Sequence, residues 1–131
     1  MVDPGNVFDA LNNLHRQVAQ RPWLIELGRF VNCDWMLGCA DETVYLRVRN
    51  GELAATETGV RHLRSWSFAI SAPASSWRTF WTAVPPRGFH DVFAMTSHGH
   101  ARLRGDMAVF MKDLRYFKEV LALPRPPKDI L

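Results

Sequence analysis

His98 and His100, with His90 and Asp91 just upstream, come nearest in type and spacing to a metal-binding or acid–base group. Two imidazoles on one strand face can share a metal ion, and Asp91 would supply a third ligand. No further ligand spacing accompanies them. His98 falls at a strand entry and His100 shares a face with Arg102 and Arg104, so the pattern reads as surface histidine. Cys33 and Cys39 match no zinc spacing. They lie on one extended run, which sets their Cα atoms about 20 Å apart by strand rise, too far to bridge each other. Both read as small buried hydrophobes in a reducing compartment. There is no G-x-S-x-G elbow, and Ser71, Ser75 and Ser76 precede a helix, where serine caps and turns. The carboxylates are unpaired: Asp41 and Glu42 occupy a turn, Asp113 and Glu119 a charged helix face. No catalytic residue, metal site or cofactor is expected, and the chain does not read as an enzyme.

What remains is apolar chemistry. Trp77, Phe80, Trp81 and Val84 recur at helical spacing, three of them aromatic on one face. Met107, Phe110, Met111, Leu114, Phe117 and Leu121 form a second stripe, opened by flexible or flat side chains that can repack around guests of different shape. Such stripes also make ordinary core. As candidates for lining an apolar pocket we take Trp77, Phe80, Trp81, Phe89, Phe93, Met107, Phe110 and Met111.

The elements that must position these residues follow from periodicity. Asp3 and Pro4 signal a helix start, and Val7, Phe8, Leu11, Leu14 and Val18 give a buried stripe, predicting a helix over 4–20 that stops at Pro22. Between Trp23 and Phe30 a helical turn and an entering strand fit equally. Alternation then places Cys33, Trp35, Leu37 and Cys39 on one strand face, and Val44, Leu46 and Val48 inward on the next strand. Asn50-Gly51 predicts a type I′ hairpin with a return over Glu52 to Thr58, followed by a loop from Gly59 to Arg64. Trp66, Phe68 and Ile70 mark a fourth strand, and a helix opens at Ser71 to Pro73 and runs to about Val84 before Pro85-Pro86. A fifth strand from His98 to Arg104 feeds, through Gly105 and the capping Asp106, one closing helix to Leu121.

The order is α+β: a five-stranded, mostly antiparallel sheet with helices covering one face. At 131 residues the chain reads as a single domain over 1–131, with sheet and helices over about 30–122 and a tail over 123–131. Hydrophobic residues at 47% and charged residues at 22% exclude disorder as the theme. Apolar runs are short and the N-terminal MVDPGNVFDALNN has no signal-peptide pattern, so a cytoplasmic location is expected. The net charge of +3 is mild. Arg47, Arg49, Arg102 and Arg104 fall on the open sheet face, but only Tyr45 could stack a base there, so nucleic acid is not the expected partner. Weak contact with a membrane surface fits that face better.

Three stretches, VYLRVRNGEL, WSFAISAPASSWRTFW and FAMTSHGHARLRGDMAVFMKDLRYF, together resemble the sterol carrier protein 2 (SCP2-like) family. The last is the most specific, with Gly99 opening the final strand and Gly105-Asp106 ending it before an apolar helix. The likeness covers roughly residues 30 to 122. It implies a five-stranded sheet and helices around a hydrophobic tunnel for sterols, fatty acids or acyl-CoA-like molecules. The chain departs from that pattern in its aromatic-rich middle and its SAPASS and VPPRGFH segments, and it lacks the C-terminal peroxisomal tripeptide of some members. The expected function is non-catalytic binding or carrying of a hydrophobic small molecule, with charged ligand ends meeting Arg78 or Arg87. The alternative is a structural or interaction domain with a filled core, forming a homodimer through exposed aromatics.

Overall fold

The computed structural model describes residues 7–39, 42–55 and 66–126. Three short helices come first: α1 (Val7–Asn12), α2 (Leu14–Ala19) and α3 (Pro22–Leu27). The helix expected over 4–20 is thus divided at Asn13, and its first residues lie outside the described range. The break falls at Asn12-Asn13, and asparagine is a poor helix-interior residue because its side chain competes for backbone hydrogen bonds. The inward stripe survives the break, with Val7, Leu11, Leu14 and Val18 all buried. Pro22 opens α3 as its first residue, and the ambiguous Trp23–Phe30 stretch is helix as far as Leu27 and turn beyond it.

Five strands follow: β1 (Asn32–Cys39), β2 (Glu42–Arg49), β3 (Glu52–Ala55), β4 (Phe68–Ala72) and β5 (Arg102–Gly105), in the spatial order β3-β2-β1-β4-β5. Every pairing is antiparallel except β1 with β4, which run parallel with Trp35 opposite Phe68. The β2–β3 hairpin turns at Asn50 (φ 54°) and Gly51 (φ 85°), the positive dihedrals of a type I′ turn. The predicted return to Thr58 and the Gly59–Arg64 loop lie outside the described residues beyond Ala55.

Four helices complete the fold: α4 (Ala74–Phe80), α5 (Val92–Ser97), α6 (Met107–Lys112) and α7 (Leu114–Leu121). The helix expected to reach Val84 ends at Phe80. The Arg125 guanidinium donates to the Phe80 carbonyl from Nε (2.9 Å) and Nη2 (2.7 Å), occupying the acceptor that the next helical rung would use. β5 starts later than expected because His98 caps α5 and Gly99 (φ 80°) wraps its end. His100 N–H donates to the Met95 carbonyl, closing a Schellman turn, so Gly99 ends a helix and does not open the strand. The closing helix is likewise two helices, joined at Asp113 (φ −119°, ψ 37°). Asp106 caps α6 as expected, accepting from the Ala108 and Val109 amides at 3.0 and 3.4 Å.

One sheet face is the core. Trp35, Leu37, Val44, Leu46, Val48, Phe68 and Ile70 are buried there against Leu11, Leu14, Val18, Trp77, Phe110, Phe117 and Leu121. The opposite face carries Arg47, Arg49, Arg102 and Arg104, as the alternation requires. Its positive charge is partly offset by Asp34. That carboxylate takes a bidentate pair from Arg47 (2.9 and 3.1 Å) and lies 3.4 Å from Arg49. Among the described residues no helix is long and apolar enough to cross a membrane.

Candidate apolar binding site

The candidate residues gather into two aromatic groups beneath the helices. Trp77 stacks on Trp81 at 5.4 Å between ring centroids, with Phe80 edge-on to Trp77 at 6.0 Å. All three are buried. The second group centres on Phe110, whose ring meets Phe93 at 5.6 Å, Phe68 at 5.1 Å and Phe117 at 5.8 Å. Phe68 and Phe117 in turn flank Trp35, at 5.4 and 5.0 Å. Met107 is half-buried beside this group, whereas Met111 is 51% exposed on the outer side of α6. Phe89 stands apart from both groups and stacks on His100 at 4.3 Å.

Phe110 is the one fully buried side chain of α6, a six-residue helix capped by Asp106, and Met107 and Val109 pack half-buried beside it. Its ring lies against those of Phe68 and Phe117.

Polar atoms in this interior are few, and most are satisfied by distant backbone. Trp77 Nε1 donates to the Gly38 carbonyl at 2.9 Å, Trp81 Nε1 to the Leu121 carbonyl at 2.8 Å, and the Tyr116 hydroxyl to the Gly51 carbonyl at 2.8 Å. Burial pushes the Tyr116 phenol well above its ordinary range, so it stays a donor. Trp35 differs. Its indole N–H is fully buried and meets no hydrogen-bond acceptor among the described residues. A buried donor left in that state costs about 1–3 kcal/mol.

The clefts open at the edges of this core. One, about 640 Å³, lies where β4 passes into α4 and is walled by Ser71, Ala74, Thr96, His100 and Leu103, among others. A smaller one of about 200 Å³, lined by Phe80, His90, Asp91, Lys118 and Arg125, adjoins a third of about 380 Å³ that shares His90 and Arg125. Of the eight candidates, Phe80 alone lines one of these three clefts. Asp91 caps α5 through the Ala94 amide (2.9 Å) and pairs with Lys118 (3.3 Å). Burial works against its charge, but the Ala94 amide, the Lys118 ammonium and the Phe93 amide together hold its carboxyl below the usual range.

The groups weighed first for chemistry are dispersed. His98 is exposed, its Nδ1–H donating to the Ala94 carbonyl, and its ring lies parallel to His100 at 6.2 Å. His100 is half-buried rather than a surface side chain, because Phe89 covers one face of its ring. Among the described residues no three His, Cys, Asp or Glu side chains converge as metal ligands. Cys33 and Cys39 are both free thiols. Burial, with Asp34 and Asp113 nearby, pushes Cys33 up to about 11, the opposite of what a thiolate nucleophile needs.

Neither a protein-family model nor a curated protein sequence matches the chain. Solved structures do. A crystal structure of sterol carrier protein 2 superposes with a TM-score of 0.63 at 14% identity, covering 88% of this chain and 92% of the other. The fold is SCP2-like. A structure titled UbiJ-SCP2 ubiquinone synthesis protein matches at TM-score 0.59 and 14% identity, over 90% of this chain and 95% of that one. Sterol carrier protein domain 2 of Helicoverpa armigera matches at 0.56 and 13%, over 95% and 92%. The SCP2-like fold accounts for the mixed sheet and its helical cover.

Within that fold, several contributors were absent from the candidate set. Trp35 and Phe68 join the Phe110 group, and their inward alternation was the available signal. Arg125 reaches Phe80 from the segment read as tail. A lone arginine among prolines carries no periodicity that would have found it.

Proposed function

We propose that this chain binds and carries an apolar small molecule, of lipid, fatty-acyl or sterol-like class, between the sheet and the helices, with no chemistry of its own. The observation that carries the reading is the SCP2-like fold shared over about nine tenths of each chain with proteins titled sterol carriers. The interior supports it. Trp77, Phe80, Trp81, Phe89, Phe93, Met107, Phe110 and Met111 supply adaptable apolar surface, and α6 packs on the core through Phe110 with only Met107 and Val109 half-buried beside it. Desolvating a guest contributes about 25 cal/mol per Å² of apolar area. Lifting α6 exposes the rings of Phe68 and Phe117 to such a guest.

Native mass spectrometry of the freshly purified chain, with organic extraction, tests this. A co-purifying lipid near one per chain, or uptake of added fatty acid, sterol or acyl-CoA, is the expected result. A bare mass with no uptake of any of them defeats it.

A second reading has its own observation: Trp23, in the first turn of α3, is 52% exposed and Phe30, just past its end, 74%. These rings suit pairing of two chains, whereas Trp77 and Trp81 are buried. The same spectra report a dimer, and Phe30→Ser separates the two readings by abolishing the dimer without touching uptake. The exposed Arg102 and Arg104 suit weak docking on an anionic membrane during delivery.

A further inference from the structure

We infer that Trp35 is the polar anchor of the guest: its indole N–H donates to a neutral oxygen acceptor on an otherwise apolar ligand, such as a ketone, ester or alcohol. The inference rests on the carrier reading and adds the one polar atom by which the interior would tell its ligand from plain hydrocarbon.

Three buried aromatic donors, Trp77, Trp81 and Tyr116, each reach a backbone carbonyl at 2.8–2.9 Å, so this core is able to satisfy such groups. Trp35 is fully buried on the central strand β1 and finds none among the described residues. Its ring is bracketed by Phe68 and Phe117, the two rings on which Phe110 of α6 rests. A guest that replaces Phe110 therefore lies along the rings that flank the unanswered donor. The acceptor is neutral because Trp35 lies between Leu46 and Phe68 on the neighbouring strands with the Phe117 ring against it, all apolar, so a carboxylate among them would be desolvated. An indole donates only, so an ammonium or other pure donor is excluded.

The test compares methyl nonyl ketone with undecane, the same carbon chain with and without a carbonyl, on the full chain and its Trp35→Phe and Tyr116→Phe variants. Binding is followed by native mass spectrometry titration. Trp35→Phe is expected to weaken the ketone about tenfold and leave undecane within about twofold, since one hydrogen bond is lost and the aromatic wall kept. Tyr116→Phe, which removes a buried donor already bonded to the Gly51 carbonyl, leaves the ketone-to-undecane ratio unchanged. In the unaltered chain, the Trp35 indole N–H resonance shifts downfield with the ketone and not with undecane, a readout that does not depend on the variant folding. Equal weakening of both ligands by Trp35→Phe, or an indole resonance indifferent to the ketone, overturns the inference and leaves the carrier reading standing, with a buried water as the donor's partner. Binding of neither molecule, together with no uptake of lipid, removes both.

Discussion

The indole of Trp81 donates to the carbonyl of Leu121 at 2.8 Å, joining the end of α4 to the end of α7 across the buried core. Leu121 is the last residue of α7, so its carbonyl has no helical partner and the indole supplies one. Trp81→Phe keeps most of the buried ring and deletes the bond. The expected loss is about 1–3 kcal/mol of unfolding free energy, read from denaturant midpoints. Trp81→Ala adds a cavity and is expected to cost about 3–5 kcal/mol. A Trp81→Phe variant as stable as the parent would show that the tie is incidental.

Gly51 is more demanding. Its φ of 85° suits glycine, an added Cβ would collide with the Ile25 carbonyl, and its own carbonyl receives the Tyr116 hydroxyl. Gly51→Ala therefore combines backbone strain with a forced separation of hairpin, α3 and α7. A loss of about 2 kcal/mol or more is expected, with the melting temperature as the measure. Gly99→Ala serves as the comparison: φ is again positive at 80°, yet an added Cβ meets nothing within 4 Å, so only the dihedral strain remains and the loss is smaller.

Acid should weaken the fold through Asp91. Its carboxyl is held below the ordinary value of about 3.9, so the stability it contributes is complete above that value and is lost as pH falls through the lower, folded one. Unfolding curves from pH 6 down to pH 2 are expected to show a shallower acid decline for Asp91→Asn than for the parent. Asn retains an acceptor for the Ala94 amide, so at pH 7 Asp91→Ala should be the weaker variant, by about 0.5–2 kcal/mol of cap. Parallel acid profiles for the parent and Asp91→Asn would remove the assignment.

Cys33 behaves in the opposite sense. Its thiol is raised to about 11, so the fold favours the neutral form. That stability is full below the unfolded value near 8.5 and is lost as pH climbs toward 11. Iodoacetamide is expected to label Cys33 slowly at pH 8 in the native chain and rapidly in denaturant, with the native rate rising steeply above pH 10. Fast native labelling at pH 8 would contradict the burial.

Periodicity made the inner sheet face legible: Trp35, Leu37, Val44, Leu46, Val48, Phe68 and Ile70 all alternate and are all buried. Asn50-Gly51 announced its hairpin because few residue pairs accept two positive φ values. Helix ends were harder to read. The breaks at Asn13 and Asp113 preserve the apolar stripe, so a pattern of burial runs through them unaltered. The early end of α4 depends on Arg125, which arrives from far along the chain, and Gly99 suits a strand entry or a helix end equally until its neighbours' hydrogen bonds are seen. In the candidate site, spacing showed which faces are apolar. It did not show that Phe89 stacks on His100 outside the main cluster, or that Trp35 lacks an acceptor among the described residues, since both depend on where separate elements meet.

The parallel seam between β1 and β4 bears on how the chain assembles. The β1–β2–β3 meander pairs neighbours along the chain and can zip up on its own, but Trp35 meets Phe68 only after the intervening chain has looped back. Closing that loop costs entropy before any contact repays it, so the sheet's centre is a late event in folding. Until it closes, the inner edge of β1 stands open with its row of backbone donors and acceptors and its aromatic face bare. The hazard of this architecture is therefore kinetic: nascent chains at high concentration meet each other along β1 before β4 arrives, and slow, dilute refolding is the remedy.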